Sequence, residues 1–328
     1  EMIFILQKTL IFTIPLLIVA LAGMFAERSG IINIALDGIM IFGAFIGAVV
    51  TLLLRQNVPF FVDHNQIMFV VAMLAAAAAG ALFSLLLSVS AIKFKADQTI
   101  AGTALNLLAP AIALFFIKVF TSKDQLEMGT AVDSLGQRHD FGYVIQNKEV
   151  SGVFAVLFDK AYISTFIAIA LFIILSIFLY KTKTGLRLRA CGEHPQAADS
   201  VGINVYKMRY LGTTISGALG GFGGYLYIAT VANGTASGAV AGMGFLAMAI
   251  MIFGNWSPLG VAFGSLMFGF LKCLSVVYNQ IPFTKNLPLP MYFYNIIPYL
   301  VVLIVLGFSS GKSRAPKAEG IPYDKGTR

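Results

Sequence analysis

Long apolar segments separated by short polar ones make up most of the chain's 328 residues. Runs of about 20 apolar residues have the length that an α-helix needs to cross a bilayer, and the alternating pattern of a membrane β-barrel is absent. The apolar windows predict about nine membrane-spanning helices, near residues 5–26, 34–54, 67–90, 98–120, 162–180, 210–230, 243–255, 258–280 and 293–308. The sequence therefore predicts an all-α polytopic membrane protein that forms a single domain over residues 1–328.

Two glycine-rich interruptions divide the last third of the chain, at residues 231–244 (VANGTASGAVAGMG) and 254–260 (GNWSPLG). Non-helical backbone is tolerated at membrane depth only where it is buried in protein or lines a cavity. Interrupted helices are also typical of the substrate sites of transporters. We therefore expect short or broken helices around these two breaks.

Four polar side chains are candidates for a translocation path: Asn33 and Asp37 at the mouth of the second window, and Thr103 and Asn106 inside the fourth. A carboxylate in a membrane is unfavourable, so Asp37 is expected to bind substrate or to pin a break. The alternative is a helix-start acid that the helix dipole favours. Thr103 and Asn106 share one helix face, where they would line a path or hydrogen-bond to a neighbouring helix, which is the commoner use.

Four glycines, Gly217, Gly220, Gly221 and Gly224, form overlapping small-xxx-small spacings. This pattern predicts close packing between helices and lacks the spacing of a phosphate-binding loop. Residues 307–313 (GFSSGKS) also fall short of a P-loop, because three residues separate the glycines where four are required. We therefore expect no ATP site in this chain.

The composition and the placement of the charges extend this picture. Hydrophobic residues make up 58% of the chain and charged residues 12%, against about a quarter in soluble domains. The predicted spans put fourteen basic and six acidic residues on one side of the membrane, which accounts for the whole net charge of +8. An excess of Lys and Arg marks the cytoplasmic side. The amino terminus is then outside, residues 121–161 are an extracytoplasmic excursion, and residues 309–328 are a cytoplasmic tail. Because the excess positive charge reports the orientation in the membrane, we expect no nucleic-acid partner.

No catalytic or metal motif accompanies these features. His64, His139 and His194 lie in three different loops, and no HExxH, GxSxG or CxxC motif occurs. Cys191 and Cys273 lie too far apart in the predicted topology to form a disulfide. The first helix follows Glu1-Met2 without a cleavage site, so we expect it to be retained. The sequence therefore offers no support for an enzymatic activity.

The most polar segment is residues 181–209 (KTKTGLRLRACGEHPQAADSVGINVYKMR), with six basic and two acidic residues. A polar segment of this length is excluded from hydrocarbon, and its charge predicts a cytoplasmic loop. We expect a short capped helix over residues 193–202 within this loop, with glycine as its stop signal.

Residues 192–203 (GEHPQAADSVGI) resemble the Glu-Ala-Ala…Gly loop of ABC importer permeases of the branched-chain amino acid, ribose and nucleoside group. Three more segments agree in order over nearly the whole chain: AERSGIINIALDGIM (26–40), QTIAGTALNLLA (98–109) and FGNWSPLG (253–260). The versions ERSGIINIALDG and GTALNLLA are most similar to bacterial purine-nucleoside permeases and their relatives, which include riboflavin permeases.

This resemblance implies the ABC importer permease fold in a bacterial cytoplasmic membrane. Two permeases, often different paralogues, would form the path at their interface within the lipid. Two cytoplasmic ATPase subunits would bind ATP and Mg²⁺, and an extracytoplasmic lipoprotein would deliver the substrate. The chain itself would need no cofactor.

The resemblance also implies that residues 193–202 are the coupling helix that docks into an ATPase subunit. Gly192 and Pro195 would set its entry, Gly202 its exit, and Ala197 with Ala198 its close-packed face. Basic side chains would flank it. The implied coupling residues are Arg187, Arg189, Gly192, Glu193, Pro195, Ala197, Ala198 and Gly202.

A nucleoside or flavin requires aromatic faces for its ring and amides or hydroxyls for its polyol. The candidates are Asn33, Asp37, Phe42, Phe45, Thr103, Asn106, Asn255 and Trp256. Riboflavin, branched-chain amino acids and simple sugars are alternative solutes. An ion-coupled secondary carrier is a further alternative. Such a carrier needs acids and bases within the spans to relay charge, and only Asp37 and Lys272 lie in or at the edge of a predicted span. Such a carrier has no use for an ATPase-docking loop.

Overall fold

Helices account for most of the residues that the computed structural model describes, which are residues 2–129, 131–132, 138–139, 162–277, 291–309 and 314–326. In chain order the helices are α1 (Met2–Arg28), α2 (Leu36–Asn57), α3 (Pro59–Asp63), α4 (Asn65–Ile92), α5 (Gln98–Thr121), α6 (Ile163–Lys181), α7 (Lys183–Glu193), α8 (Pro195–Ser200), α9 (Val205–Thr230), α10 (Met243–Phe253), α11 (Pro258–Val277) and α12 (Met291–Ser309). Four short strands are β1 (Leu126–Glu127), β2 (Ala131–Val132), β3 (Arg138–His139) and β4 (Thr235–Ala236).

Six helices in the described part of the chain are long and apolar enough to cross a bilayer: α1, α2, α4, α5, α6 and α11. A helix stands at each of the nine predicted windows, but α9 and α12 are not among these six. Helix α10 has 11 residues, which span about 16 Å of a hydrocarbon core about 30 Å thick. The protein is a multi-pass helical membrane protein, and the count of nine crossings stays a prediction.

Helix α9 lies at the centre of the bundle and packs against α1, α2 and α4. Its glycines bring the backbones together. A Cβ atom on Gly221 would overlap the carbonyl oxygen of Ala76 in α4, and one on Gly224 would overlap that of Met40 in α2. Added at Gly217, it would overlap the hydroxyl of Ser84. The apolar core therefore depends on contacts that only a residue without a side chain permits.

Gly220, the fourth glycine of this set, faces the start of α2. A Cβ atom there would lie 2.9 Å from Cγ2 of Ile39, which is tighter than ordinary van der Waals contact. Two faces of α9 are therefore in close contact with neighbouring helices. Gly217 and Gly221 face α4, whereas Gly220 and Gly224 face α2, so each pair with a spacing of four serves one neighbouring helix.

The two glycine-rich interruptions are largely non-helical, over residues 231–242 and 254–257. Helix α9 ends at Thr230, and β4 then pairs with β1 in an antiparallel register before α10 begins at Met243. The pairing joins the loop after α5 to the loop before α10. Strands β2 and β3 also pair. Residues 130, 133–137 and 140–161, which include most of the predicted excursion over 121–161, lie outside the described residues.

The second break, residues 254–257, separates α10 from α11 at one end of the bundle. Residues 314–326 of the predicted tail lie across the same end, where they contact the loop after α1 and the segment that contains α7 and α8. We call this end of the bundle the tail face.

Candidate functional site

The predicted coupling segment folds into two helices on the tail face. The hydroxyl of Thr182 accepts a hydrogen bond from the Gly185 amide (3.1 Å) and caps α7. The Nδ1 atom of His194 accepts one from the Ala197 amide (3.2 Å) and caps α8. Gly202 follows with a φ of +82°, the left-handed conformation that ends helices. Local sequence signals therefore define both helices.

Helix α8 lies within the short helix expected over residues 193–202, but α7 was missed. Its signals were the Thr182 cap and the apolar pair Leu188 and Cys191, three residues apart and both fully buried. The run of basic residues in this segment concealed that apolar stripe.

Helix α8 presents one side to the bundle and the other to solvent. Pro195 and Ala198 are buried, whereas Glu193, Ala197 and Gly202 are exposed. Of the Ala-Ala pair, only Ala197 is thus available to a partner. A Cβ atom on Gly202 would meet nothing within 4 Å. We call the exposed side the α8 surface; it comprises Glu193, Gln196, Ala197, Ser200, Val201 and Gly202.

Two apolar side chains beside the predicted dock were not singled out from the sequence. Val201 is 75% exposed and Leu186 is 59% exposed. Arg187 is also exposed. Arg189 instead donates from Nε to the Leu179 carbonyl (3.1 Å), and its guanidinium lies over the Tyr180 ring at 4.6 Å. Arg189 therefore fixes α7 to α6.

Arg28, the last residue of α1, joins the end of α7 to the break between α10 and α11. Its Nε and Nη2 atoms donate to the Trp256 carbonyl at 3.3 and 2.9 Å. Its Nη1 atom lies 3.4 Å from Oε1 of Glu193. The Tyr180 hydroxyl donates to the same Trp256 carbonyl (2.8 Å). Sequence reasoning missed Arg28, because its partners lie 165 and 228 residues away.

The break itself has an unfavourable backbone conformation. Asn255 and Trp256 have φ angles of +52° and +51°, which are unfavourable by about 1 kcal/mol or more for each side chain with a Cβ atom. The Trp256 indole donates to the Glu27 carboxylate and is 4% exposed. Such conformations persist where surrounding contacts hold them, and they concentrate at functional segments.

Gly192 lies between the end of α1, at Arg28, and the tail. A Cβ atom on Gly192 would overlap the Arg28 carbonyl oxygen. The Gly192 carbonyl accepts a hydrogen bond from the Ala318 amide (2.9 Å). A glycine is therefore required where α7 meets both the loop after α1 and the tail.

Asp37 lies inside the bundle and caps a helix other than its own. Its Oδ1 atom accepts a hydrogen bond from the Gly244 amide (2.8 Å) in the first turn of α10. A carboxylate at a helix amino terminus is favoured by the helix dipole. In this conformation Asp37 holds α10 at the first break.

Asn106 binds the loop between α1 and α2. Its Nδ2 atom donates to the Ile34 carbonyl (2.8 Å), and its Oδ1 atom accepts from the Gly38 amide (2.7 Å). Asn106 lies eight residues into α5, about 12 Å along the helix axis, so this loop enters the bundle. The Asn106 side chain thus provides hydrogen-bond partners for the buried backbone here, as a membrane protein requires.

The other predicted path residues lie in different surroundings. Asn33 is fully buried and donates to the Ser216 hydroxyl (2.8 Å). Thr103 is exposed on α5 and donates to the Thr99 carbonyl (2.8 Å). Phe42 stacks on Phe83 with 4.7 Å between ring centroids.

Phe45 lines an apolar cavity of about 310 Å³ between α2 and α5, together with Phe116 and Phe120. Asn255 and Trp256, by contrast, lie on the tail face. Within the described residues the eight predicted path residues thus do not share one pocket, and their contact with substrate stays a prediction.

The model of the family described as branched-chain amino acid transport system / permease component matches residues 5–306. The chain belongs to this permease family. It is 39% identical to the guanosine ABC transporter permease protein NupQ of Bacillus subtilis, over 99% of this chain and 97% of that protein. It is 38% identical to the nucleoside ABC transporter permease protein NupC of Lactococcus lactis, over 98% of this chain and 96% of that protein.

A second Bacillus subtilis protein, the guanosine ABC transporter permease protein NupP, is 24% identical to this permease over 79% of the chain and 70% of that protein. No solved structure matches the chain. The resemblance inferred from the sequence is confirmed, and the permease is a transport component and not itself an enzyme.

Glu319, an acidic residue in the tail of the permease, is half-buried beside Glu27 of α1. Burial raises the pKa of Glu319 to about 7, against the opposing effects of the Glu27 side chain and the Arg28 guanidinium. A carboxyl pair in this environment retains a proton more readily than exposed carboxylates do, which allows the two groups to approach each other. In the described part of the permease no group of three or more His, Cys, Asp and Glu residues could hold a metal ion.

Proposed function

We propose that this permease is the transmembrane subunit of an ATP-driven ABC importer for a nucleoside-like solute. The relatives NupQ and NupC match it over almost their whole length, and their names give guanosine and nucleoside as the solutes. These names favour a nucleoside over riboflavin, a branched-chain amino acid or a simple sugar. The α8 surface favours ATP-driven import over an ion-coupled carrier.

The complete importer contains partners that supply energy and substrate. Two ATPase subunits bind ATP and Mg²⁺, an extracytoplasmic lipoprotein delivers the nucleoside, and this chain carries no cofactor. The second permease is a paralogue, a proposal supported by the two Bacillus subtilis permeases NupQ and NupP, whose names both give guanosine. The excess of basic residues supports a cytoplasmic tail face and an amino terminus outside. The chain then crosses the membrane nine times, with α10 as a half-length helix.

The contacts of the Arg28 side chain are the observation that best supports ATP-driven transport. Arg28 contacts both Glu193 at the α8 surface and the Trp256 carbonyl in the break between α10 and α11. When ATP closes the two ATPase subunits, the α8 surface moves with them, and Arg28 transmits the displacement to the break. Nucleotide and solute shift the equilibrium between outward-open and inward-open states by their different affinities for the two.

Uptake by the reconstituted importer tests the proposed function. Proteoliposomes that contain this permease, its partner permease and the ATPase subunits receive the lipoprotein and radiolabelled guanosine outside, with ATP inside. We expect guanosine to accumulate only with hydrolysable ATP, and unlabelled nucleosides to compete while riboflavin, leucine and glucose do not. Uptake driven by an ion gradient without ATP, or competition by riboflavin alone, would contradict the proposal.

Gly202→Trp is expected to leave the permease inserted in the membrane and to uncouple ATP hydrolysis from uptake. A Cβ atom on Gly202 would meet nothing within 4 Å, so we expect the indole to project from the α8 surface into a docked ATPase. Gly202→Ala is the matched control, because it shares the strain of a φ of +82°, about 1 kcal/mol, without the bulk. We expect near wild-type coupling in the alanine variant, and loss of uptake by about tenfold in the tryptophan variant, the effect of about 1.4 kcal/mol. Wild-type ATP-driven uptake by Gly202→Trp would disprove the docking assignment.

A further inference from the structure

Residues 314–326, which we call the strap, bind three separate elements of the tail face. The Ala318 amide donates to the Gly192 carbonyl (2.9 Å), at the end of α7. The Gly320 amide donates to the Gly30 carbonyl (3.2 Å), in the loop after α1. The Arg314 amide donates to Oδ1 of Asn255 (2.9 Å), in the break between α10 and α11. One short segment thus connects the start of the α8 surface with the break.

The central helix α9 also forms a hydrogen bond with the strap. Arg209 of α9 is 1% exposed, and its Nη1 atom donates to the Ile321 carbonyl (3.0 Å). Its Nε and Nη2 atoms have no hydrogen-bond partner among the described residues. Without the strap this buried guanidinium would also lose the Ile321 carbonyl, and an unpaired buried charge is strongly unfavourable. The strap is therefore part of the folded permease.

The far end of the strap has one buried contact, at Tyr323, and one exposed contact, at Asp324. Tyr323 packs against Tyr206 with 5.3 Å between ring centroids. The Asp324 carboxylate pairs with Lys95, and both side chains are nearly half exposed. Exposed ion pairs contribute little. The Lys95–Asp324 pair is therefore a peripheral contact and provides a control position on the same segment.

We propose that the strap positions the α8 surface relative to the break between α10 and α11, so that a displacement of α8 reaches the break through Asn255 as well as through Arg28. This inference rests on the proposed function. Asn255 is suited to this role because its side chain holds the strap while its backbone forms the strained turn. Displacement of Gly192 pulls on Ala318, four residues from Arg314, whose amide is bound to Asn255. Asn255 and Ala318 are positioning residues, and neither is required to touch the solute.

Asn255→Gly tests the proposal with little risk to folding. Glycine adopts the φ of +52° without strain and removes the side chain that carries the Oδ1 acceptor. We expect the number of nucleosides imported per ATP hydrolysed to fall about fivefold, the factor that corresponds to one net hydrogen bond. Asn255→Asp keeps an acceptor oxygen and tolerates the same backbone conformation, so it should restore the wild-type ratio. Asp324→Asn, at the peripheral end, should leave the ratio unchanged.

A distance measurement reports on the strap without any solute. Spin labels at Lys317→Cys and Lys183→Cys, two exposed positions outside the α8 surface, measure the separation of the strap from α7, the helix that contains Gly192. Both native cysteines are buried, and burial raises the pKa of the Cys191 thiol to about 11, which disfavours its labelling. We expect one narrow distance distribution, with and without ATP, that broadens in Asn255→Gly.

An unchanged transport ratio in Asn255→Gly, or a distance distribution that this substitution does not alter, would overturn the role of the strap. Failure of the wild-type importer to accumulate nucleosides would instead contradict the proposed function. The distance measurement separates the two failures, because it needs ATP but no solute.

Discussion

Gly221→Ala should sharply reduce the amount of folded permease. The added Cβ atom would overlap the Ala76 carbonyl oxygen and lie 2.9 Å from the Cα atom of Gly80. Both contacts are with backbone, so the whole of α4 must move away from α9. Overpacking of this kind destabilises by about 1–3 kcal/mol when side chains yield, and by more against backbone. We expect about a tenfold loss of monodisperse protein or more, measured by size-exclusion chromatography of a fluorescent fusion in detergent.

Gly307→Ala is the matched control for this substitution. It adds the same methyl group to the apolar helix α12, at a position where a Cβ atom meets nothing within 4 Å. We expect wild-type yield and an unchanged Tm for this variant. Equal yields of Gly221→Ala and Gly307→Ala would show that α4 and α9 do not pack through Gly221.

Arg28→Gln should abolish most coupled uptake while the permease remains folded and the ATPase subunits remain bound. The substitution removes two hydrogen bonds to the Trp256 carbonyl and the ion pair with Glu193. Hydrogen bonds from a charged donor contribute about 1.5–3 kcal/mol, so we expect uptake to fall about tenfold to a hundredfold. ATP hydrolysis and uptake are measured in the same proteoliposomes. Arg28→Lys should recover little, because an ammonium group does not reproduce the planar fork of donors.

Lys93→Gln controls for the loss of one cation from the tail face, since Lys93 is exposed on the same side of the bundle. This variant should transport like wild type. A double-mutant cycle then tests the contact itself. We expect Arg28→Gln and Glu193→Gln to be non-additive, because each removes the same ion pair. Strictly additive effects would show that Glu193 and Arg28 act independently.

The sequence was most informative where the signal is local. Helix α8 could be predicted because its glycine stop lies within a few residues of it, and His194 and Pro195 mark its start. The glycine spacing in α9 likewise predicted close helix packing, since a missing side chain allows backbones to approach whichever helix is the partner. Helix α7 was missed because its basic residues obscured Leu188 and Cys191.

Contacts between distant segments could not be predicted in this way. Asp37 was expected to bind substrate, to pin a break or to start its own helix, and the structure places it on Gly244, 207 residues away. Residues 309–328 were predicted from the sequence only as a cytoplasmic tail. Their described part instead forms a strap on the tail face, because Arg209 and Gly192 supply partners that no local pattern reveals.

By itself, the sequence determined that this is a polytopic helical membrane protein of the permease family with a folded polar segment at residues 181–209. Apolar length, charge placement and helix stop signals are local properties, and they survive without knowledge of the fold. Only the tertiary structure decided that Arg28 bridges Glu193 and Trp256, and that the strap joins Gly192 to Asn255. Hydrogen bonds of this kind form between groups that packing brings within about 3 Å, and packing is set by the whole chain.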